Sequence, residues 1–431
     1  MAHKPQSDSD RMVKRLFAAL LFLVGTLSLS AQTSDTRQRI YHPAFKSLQV
    51  EVEGRRMMPP VISLNSDDRI LISFDEIADE RRYMRYELIH CDASWRPEGL
   101  VDSEFLDGFN QGDVDDFDYS RATTIHYVNY RIAIPNAQMR PLISGNYLVR
   151  VYPEDDPETT LLTARFSISE DSMTISGDVS SRTDIDTNDS HQQLAVIVDA
   201  GDAPIDDIYS DIRLVIEQNG RNDNAIAITR PLRAVGKKAI FEHLRPLIFN
   251  AGNEYRRMEI VSVNYPGMHV ESIDRIEPYY HFTLATDTPR KNEMYLYDQT
   301  QHGRFTIREY DSDRSDTEAD YALVDFTLEI DELHGFDVYI DGDFTQRSFD
   351  DSSKMSYNRT TGRYEKRLLL KQGAYNYQYL AVAQGQNTGL TSAIEGDKYP
   401  TVNEYVVRAY YRPRGTRYDR LADIKVFYSN R

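Results

Sequence analysis

His90, Cys91 and Asp92 stand in a row, and theirs is the first stretch of the chain with the parts of a reactive centre. A thiol, an imidazole and a carboxylate can serve as nucleophile, base and orienting group if they converge. Residues 81–90 read as a strand, with Tyr86, Leu88 and His90 on one face and Glu87 and Ile89 on the other. Neighbours on a strand point to opposite sides, so three consecutive residues cannot meet. Cys91 is the only cysteine. One thiol closes no internal disulfide, and its expected role is a small apolar residue in a core, with an intermolecular bridge or a reactive thiol as the alternatives.

Acidic clusters invite a second chemistry, calcium binding. A helix-loop-helix calcium loop wants oxygen ligands at alternating positions, a glycine at the sixth and a glutamate at the twelfth. Counting from Asp113 places Phe117 at the fifth position and Asp118 at the sixth. Asp184, Asp186, Asn188 and Ser190 alternate, but the glycine is missing and Ala195 stands twelfth. The run 311–316 fails in the same way. Turn aspartates bonding to their own backbone are the expected reading, an irregular calcium site the alternative. The histidines are scattered, with no HExxH pattern, and neither a GxSxG elbow nor a GxxxxGK[ST] phosphate loop occurs. The expectation is therefore no catalytic residue, no metal ligand and no cofactor.

Other residues could bind rather than react. Trp95, the only tryptophan, precedes Arg96 and Pro97, a context that favours extended or turn geometry. It is either a core anchor at a strand end or a partner contact. In the second case Trp95, Arg96, Leu100, Phe105 and Phe109 form part of one loop face, and interfaces favour Trp, Tyr and Arg. Tyr375, Tyr377 and Tyr379 share one face of a strand, as a buried surface or as a platform for sugar rings.

The elements that must position these residues are strands. Tyrosine (29) and phenylalanine (17) supply nearly all the aromatics, and no long segment repeats its apolar residues at helical spacing. Short alternating runs separated by turn clusters predict an all-β chain of tandem immunoglobulin-like β-sandwiches. In 123–136, His126, Val128, Tyr130, Ile132 and Ile134 form the expected core face. Asn219-Gly220 signals a hairpin turn, and two strands are expected to pair across Lys371, Gln372 and Gly373. Residues 32–40 read as a mobile polar tail and 170–190 as a connection holding at most one short strand. The predicted division is a signal peptide at 1–31, an N-terminal sandwich at 32–170, a middle sandwich at 171–288 and a C-terminal sandwich at 289–431.

The signal peptide rests on Lys4, Arg11, Lys14 and Arg15 ahead of an apolar run at 16–29, then small residues for cleavage after Ser30 or Ala31. The run is shorter than the roughly 20 residues a bilayer span needs. No later segment is apolar enough to span, in keeping with a mean hydropathy of −0.56. A net charge of −18 disfavours nucleic acid and simple docking on anionic lipid. The chain is expected to be exported.

The ordered series HCDASW (90–95), DGFN (107–110), TTIHYVNYRIAIPN (123–136) and SGNYLVRVY (144–152) resembles the plug family of the type IX secretion system, and 395–421 fits that family's C-terminal pattern. The resemblance starts near Arg39 and runs to the C-terminus. It implies a non-enzymatic subunit of periplasmic β-sandwich domains, lying against the inner face of the outer membrane. Its partner would be the large translocon β-barrel, whose periplasmic opening it would seal when idle, as a monomer within the complex. Separately, YIDGDFT (339–345) followed by 363–382 looks like the early-set modules of starch- and glycogen-binding proteins. The tryptophan those modules carry after GDF is replaced here by Gln346, Arg347 and Ser348. A periplasmic or surface carbohydrate-binding protein is the alternative function.

Overall fold

The computed structural model describes residues 35–430, so the expected signal peptide lies outside the described residues. The fold is all β, built as tandem sandwiches around three clusters of buried side chains.

The first core lies between two sheets. One runs in the order Arg39–Ile40, Leu162–Ser169, Gly145–Pro153, Met84–Cys91, Gly112–Asp113. The other runs Phe45–Val52, Ile70–Glu76, Val128–Ile134, Asp116–Tyr119. Val128, Tyr130, Ile132 and Ile134 face inward as their alternation predicts, but His126, expected on the same face, lies ahead of the strand and is exposed beside Asp79. The opposite face of the same strand is also covered, with Asn129 buried and Tyr127 just ahead of it at 1 % exposure. The tail is tied down at its inner end, where Arg39 and Ile40 pair with Thr163 and Leu162.

The middle core lies between a sheet ordered Thr174–Ser180, His191–Asp199, Lys238–Phe241, Arg233–Val235 and a sheet ordered Ile226–Ile228, Ile212–Gln218, Glu404–Tyr411, Arg420–Tyr428. Residues 174–180 are thus a full sheet strand. Asn219 and Gly220 both take positive φ, as a tight turn requires, but Ile216 pairs with Ile226, so the connection is longer than two residues. The sheets cut across the expected sequential division. Ile212, Leu214 and Ile216 are sheltered by Tyr405, Val407 and Ala409, more than a hundred residues beyond the predicted boundary at 288.

Residues 256–284, expected in the middle sandwich, instead build the third core. Tyr279–Leu284 lies parallel to Tyr321–Leu328, which pairs with Arg363–Lys371. Arg256–Glu259, Phe305–Ile307 and Phe336–Asp341 all pair with Gly373–Ala383 in the facing sheet. The strands on either side of Gln372 therefore do not pair with each other. One intervening residue is too short for a hairpin loop, so the chain turns a corner from one sheet to the other.

Buried polar contacts join the cores. Between the first and third, Lys371 Nζ lies 2.7 Å from Asp75 Oδ2, each side chain 1 % exposed. Tyr321 and Asn129 also donate to Asp75, at 2.6 and 2.8 Å. The Lys371 ammonium sits 4.1 Å from the centre of the Tyr127 ring. Between the first and middle, Tyr410 donates to Asn146 Oδ1 at 2.8 Å and the Ala93 amide to Asp419 at 2.9 Å. Between the middle and third, Arg304 is paired with Glu404. Removing one member of a buried ion pair strands the other without water. Asp75→Ala is expected to cost about 3–5 kcal/mol in denaturant unfolding, whereas the paired change Asp75→Asn with Lys371→Met should cost much less, because no charge is left buried.

Candidate interaction surface

His90 and Cys91 are both buried but on opposite sides of their strand. His90 Nδ1 lies 2.8 Å from Glu98 Oε2, and its ring meets Tyr147 edge-on. The neighbouring turn needs a glycine: Gly145 has φ +137°, and a Cβ there would lie 2.4 Å from His90 Nε2. Cys91 is 0 % exposed, and burial pushes its thiol up to about 12. The three consecutive residues do not converge, and the thiol is neither ionised nor reachable.

The acidic clusters are spent on local partners. Asp113 pairs with Arg85, and Asp116 and Asp118 with Arg131. Asp184 engages His243, and Asp186 engages His191. Among the described residues no cluster of three His, Cys, Asp or Glu side chains is placed to hold a metal ion.

Tyr375, Tyr377 and Tyr379 form a buried face of Gly373–Ala383, each at most 1 % exposed. Tyr377 and Tyr379 both donate to Asp287 Oδ2 at 2.8 Å. Asp287 and Glu395 share Arg256, and Glu395 also takes Arg290 at 2.6 Å. These tyrosines cannot stack on a sugar ring. Where the early-set modules carry tryptophan, Arg347 is buried against Asp341 and Asp343.

The five residues expected on one loop face are dispersed. Phe105 is 2 % exposed and belongs to the first core, touching His90 and Tyr147. Its inclusion among the surface residues is corrected by that burial. Leu100 is half-buried against the same core, Arg96 is exposed and Phe109 is 80 % exposed. Trp95 is half-buried with φ +62°, the Arg165 guanidinium 4.3 Å above its ring. It lines a cleft of about 180 Å³ at the junction of the cores, shared with Glu217, Arg304, Arg347 and Arg408. Much of the loop is engaged within the chain: Glu98 pairs with Arg412, and Glu104 with Arg417.

A different stretch presents more apolar surface. Met294, Leu296 and Tyr297 are 94 %, 82 % and 61 % exposed, while Tyr295 between them turns inward and donates to Glu254 at 2.7 Å. Arg257 bridges Asp298 and Glu259, linking this stretch to exposed Met268 and Tyr265 across the Glu259–Met268 backbone bond. Exposed apolar groups gathered in this way mark contact surfaces. Nothing in the run MYLY (294–297) marks it as exposed in the sequence alone.

Two consequences can be measured. The Cys91 thiol should resist a maleimide at mildly alkaline pH in the folded chain and react fully once denaturant is added; labelling of the native chain would contradict its burial. Burial works to raise the Glu395 carboxyl, but Arg256 and Arg290 overcome it and hold it below its ordinary value of 4.5. Folded Glu395 thus stays ionised where the unfolded chain already takes up a proton. Its contribution is present above 4.5 and is lost as pH falls through the lower, folded value. Stability measured by denaturant should decline below that pH, and less steeply in Glu395→Gln, whose neutral amide has no proton to gain.

Comparison with known proteins agrees with this architecture. Residues 45–170 match the family described as type 9 secretion system plug protein, first domain. The crystal structure of a hypothetical protein from Parabacteroides merdae is 43 % identical, covering 91 % of this chain and 99 % of its own, with a TM-score of 0.90. An alkylpurine DNA glycosylase from Pseudomonas fluorescens is 14 % identical over 29 % of each chain, and its TM-score of 0.16 carries no argument. Among curated proteins none matches. The Parabacteroides merdae structure shares this fold over nine-tenths of the chain, and it is the first domain, at residues 45–170, that makes the chain a type 9 secretion system plug protein.

Proposed function

We propose that the chain is a non-enzymatic subunit that binds the periplasmic opening of the outer-membrane translocon barrel and seals it when idle. Family membership carries the reading. The physical arrangement supports it. A wide barrel leaks solutes unless something folded fills its mouth, and three sandwiches joined by buried ion pairs make a body that keeps its shape under load. The residues that could have formed a reactive centre are buried, separated or paired with one another. In the carbohydrate-binding alternative, the tyrosine strand would have to be open, and it is buried.

The protein acts in the periplasm, against the inner face of the outer membrane, as one copy per barrel. Its net charge of −18 calls for a neutral or basic rim on the partner. Exposed Arg96 and Phe109 and half-buried Trp95 and Leu100 are contacts within reach of the barrel; Phe105 is not. Deleting the gene should raise outer-membrane permeability to large antibiotics, and the tagged wild-type chain should recover a very large barrel from detergent-solubilised outer membrane. Unchanged permeability together with no recovered barrel would sink the proposal.

A further inference from the structure

A cleft of about 410 Å³ opens where Phe45–Val52 of the first sandwich meets Arg363–Lys371 of the third. Half-buried Ile40, Phe344 and Leu368 give it an apolar wall. Behind them Phe45, Phe305 and Tyr375, all buried, close the floor, the last two with stacked rings 5.3 Å apart. A hollow of this size between domains, apolar with a few convergent polar groups, is the usual form of a small-molecule site.

The charged groups that converge on it are mostly cations. Arg39, Lys46, Lys366 and Arg367 line the cleft against one carboxylate, Asp350, in a chain whose net charge is −18. The arginines are engaged: Arg39 lies 3.0 Å from Asp350 and Arg367 2.7 Å from Asp325. The lysines are not. Lys46 donates to the carbonyls of Pro43 and Phe45, Lys366 to that of Asp351, and among the described residues neither forms an ion pair with a carboxylate. Burial lowers the pKa of both ammonium groups, and at Lys366 Asp351 and Asp350 oppose it only in part. A cation partly withdrawn from water without a counter-charge favours an anion beside it.

Lys46 is also set at a break in its ladder. The pairing of Phe45–Val52 with Ile70–Glu76 slips between Lys46 and Gln49, and Ser47 takes φ +53°, in the left-handed region. Ser47 Oγ is held there, 2.7 Å from the Tyr321 hydroxyl. Bulges of this kind re-aim side chains and gather beside functional sites.

We propose that this cleft binds a small anionic amphiphile, its apolar body along Ile40, Phe344 and Leu368 and its charged head at Lys46 and Lys366. The two features ask for one ligand. A bare ion would leave the apolar wall uncovered, and a neutral apolar molecule would bury the ammonium groups uncompensated. The site is separate from the barrel contact proposed above and does not rest on it.

The test titrates the purified chain by calorimetry with dodecanoate and with dodecyl phosphate, each below its micelle concentration, and with inorganic phosphate and dodecanol for comparison. One equivalent of dodecanoate or dodecyl phosphate should bind, the tighter of the two identifying the head. Inorganic phosphate and dodecanol should each bind more weakly by about tenfold or more. Lys46→Gln combined with Lys366→Gln should weaken binding by about tenfold, while Lys46→Arg combined with Lys366→Arg keeps it. If the paired glutamine variant fails to fold, as circular dichroism would report, Ser352→Glu at the exposed rim takes its place, its carboxylate repelling the head with a similar loss. Absence of binding by both amphiphiles overturns the proposal. So does binding that survives the loss of the lysines, that dodecanol or inorganic phosphate matches, or that takes up many equivalents.

Discussion

One carboxylate governs how the cores are held. Asp75 lies on a strand of the first sandwich and accepts from Lys371 and Tyr321 of the third, as well as from its neighbour Asn129. It is 1 % exposed, so the hydrogen bonds a buried charge needs come from protein groups. Such a site gains little over a well-packed apolar contact, yet it is intolerant of misplacement. It fixes the angle between two sandwiches in a way that apolar surface, which slides, does not. The Tyr127 and Tyr321 rings enclose the ammonium and complete the seam. The seams to the middle sandwich follow the same pattern, with Tyr410 on Asn146 and Arg304 on Glu404.

The abundance of tyrosine has its reason in this construction. Phenylalanine fills a core but says nothing about a buried carboxylate. Tyrosine fills the same space and ends in a donor. Tyr377 and Tyr379 do both at Asp287, and Tyr405 does both at Gln192. Asp287 and Gln192 are thereby given hydrogen-bond donors from within the apolar layer.

The fold class was legible in the residues because alternation reports burial directly: Val128, Tyr130, Ile132 and Ile134 face inward as the period of two demands. The burial of Cys91 was expected from its being the single thiol, and alternation put Tyr375, Tyr377 and Tyr379 on one face without saying that the face is covered. Pairing could not. The corner at Gln372 looks like a hairpin in one dimension, and nothing local to Ile212 says that its neighbour is Tyr411. Partner identity in a sheet is a long-range property, and two strands of like composition compete equally well on paper. The loop face around Trp95 was partly misread for a related reason. Phe105 and Phe109 look alike in sequence, and only the short helix Asp102–Phe105 turns one inward while leaving the other in solvent. The run at 294–297 was passed over because an exposed apolar residue carries no local mark of exposure.

The route of the chain through the middle sandwich also bears on the order of events as the protein forms. The first core is assembled from a continuous stretch and can close as soon as that stretch is available. The middle core cannot. Ile212 must wait for Tyr411, and the whole third core lies between them. Contacts so distant in sequence are slow to form. Until they do, the apolar face of Ile212–Gln218 lies bare, open to proteases and to other exposed strands. Were the third sandwich to fold before the middle one closes, it would bring the two ends of its own insertion together and convert a remote encounter into a local one.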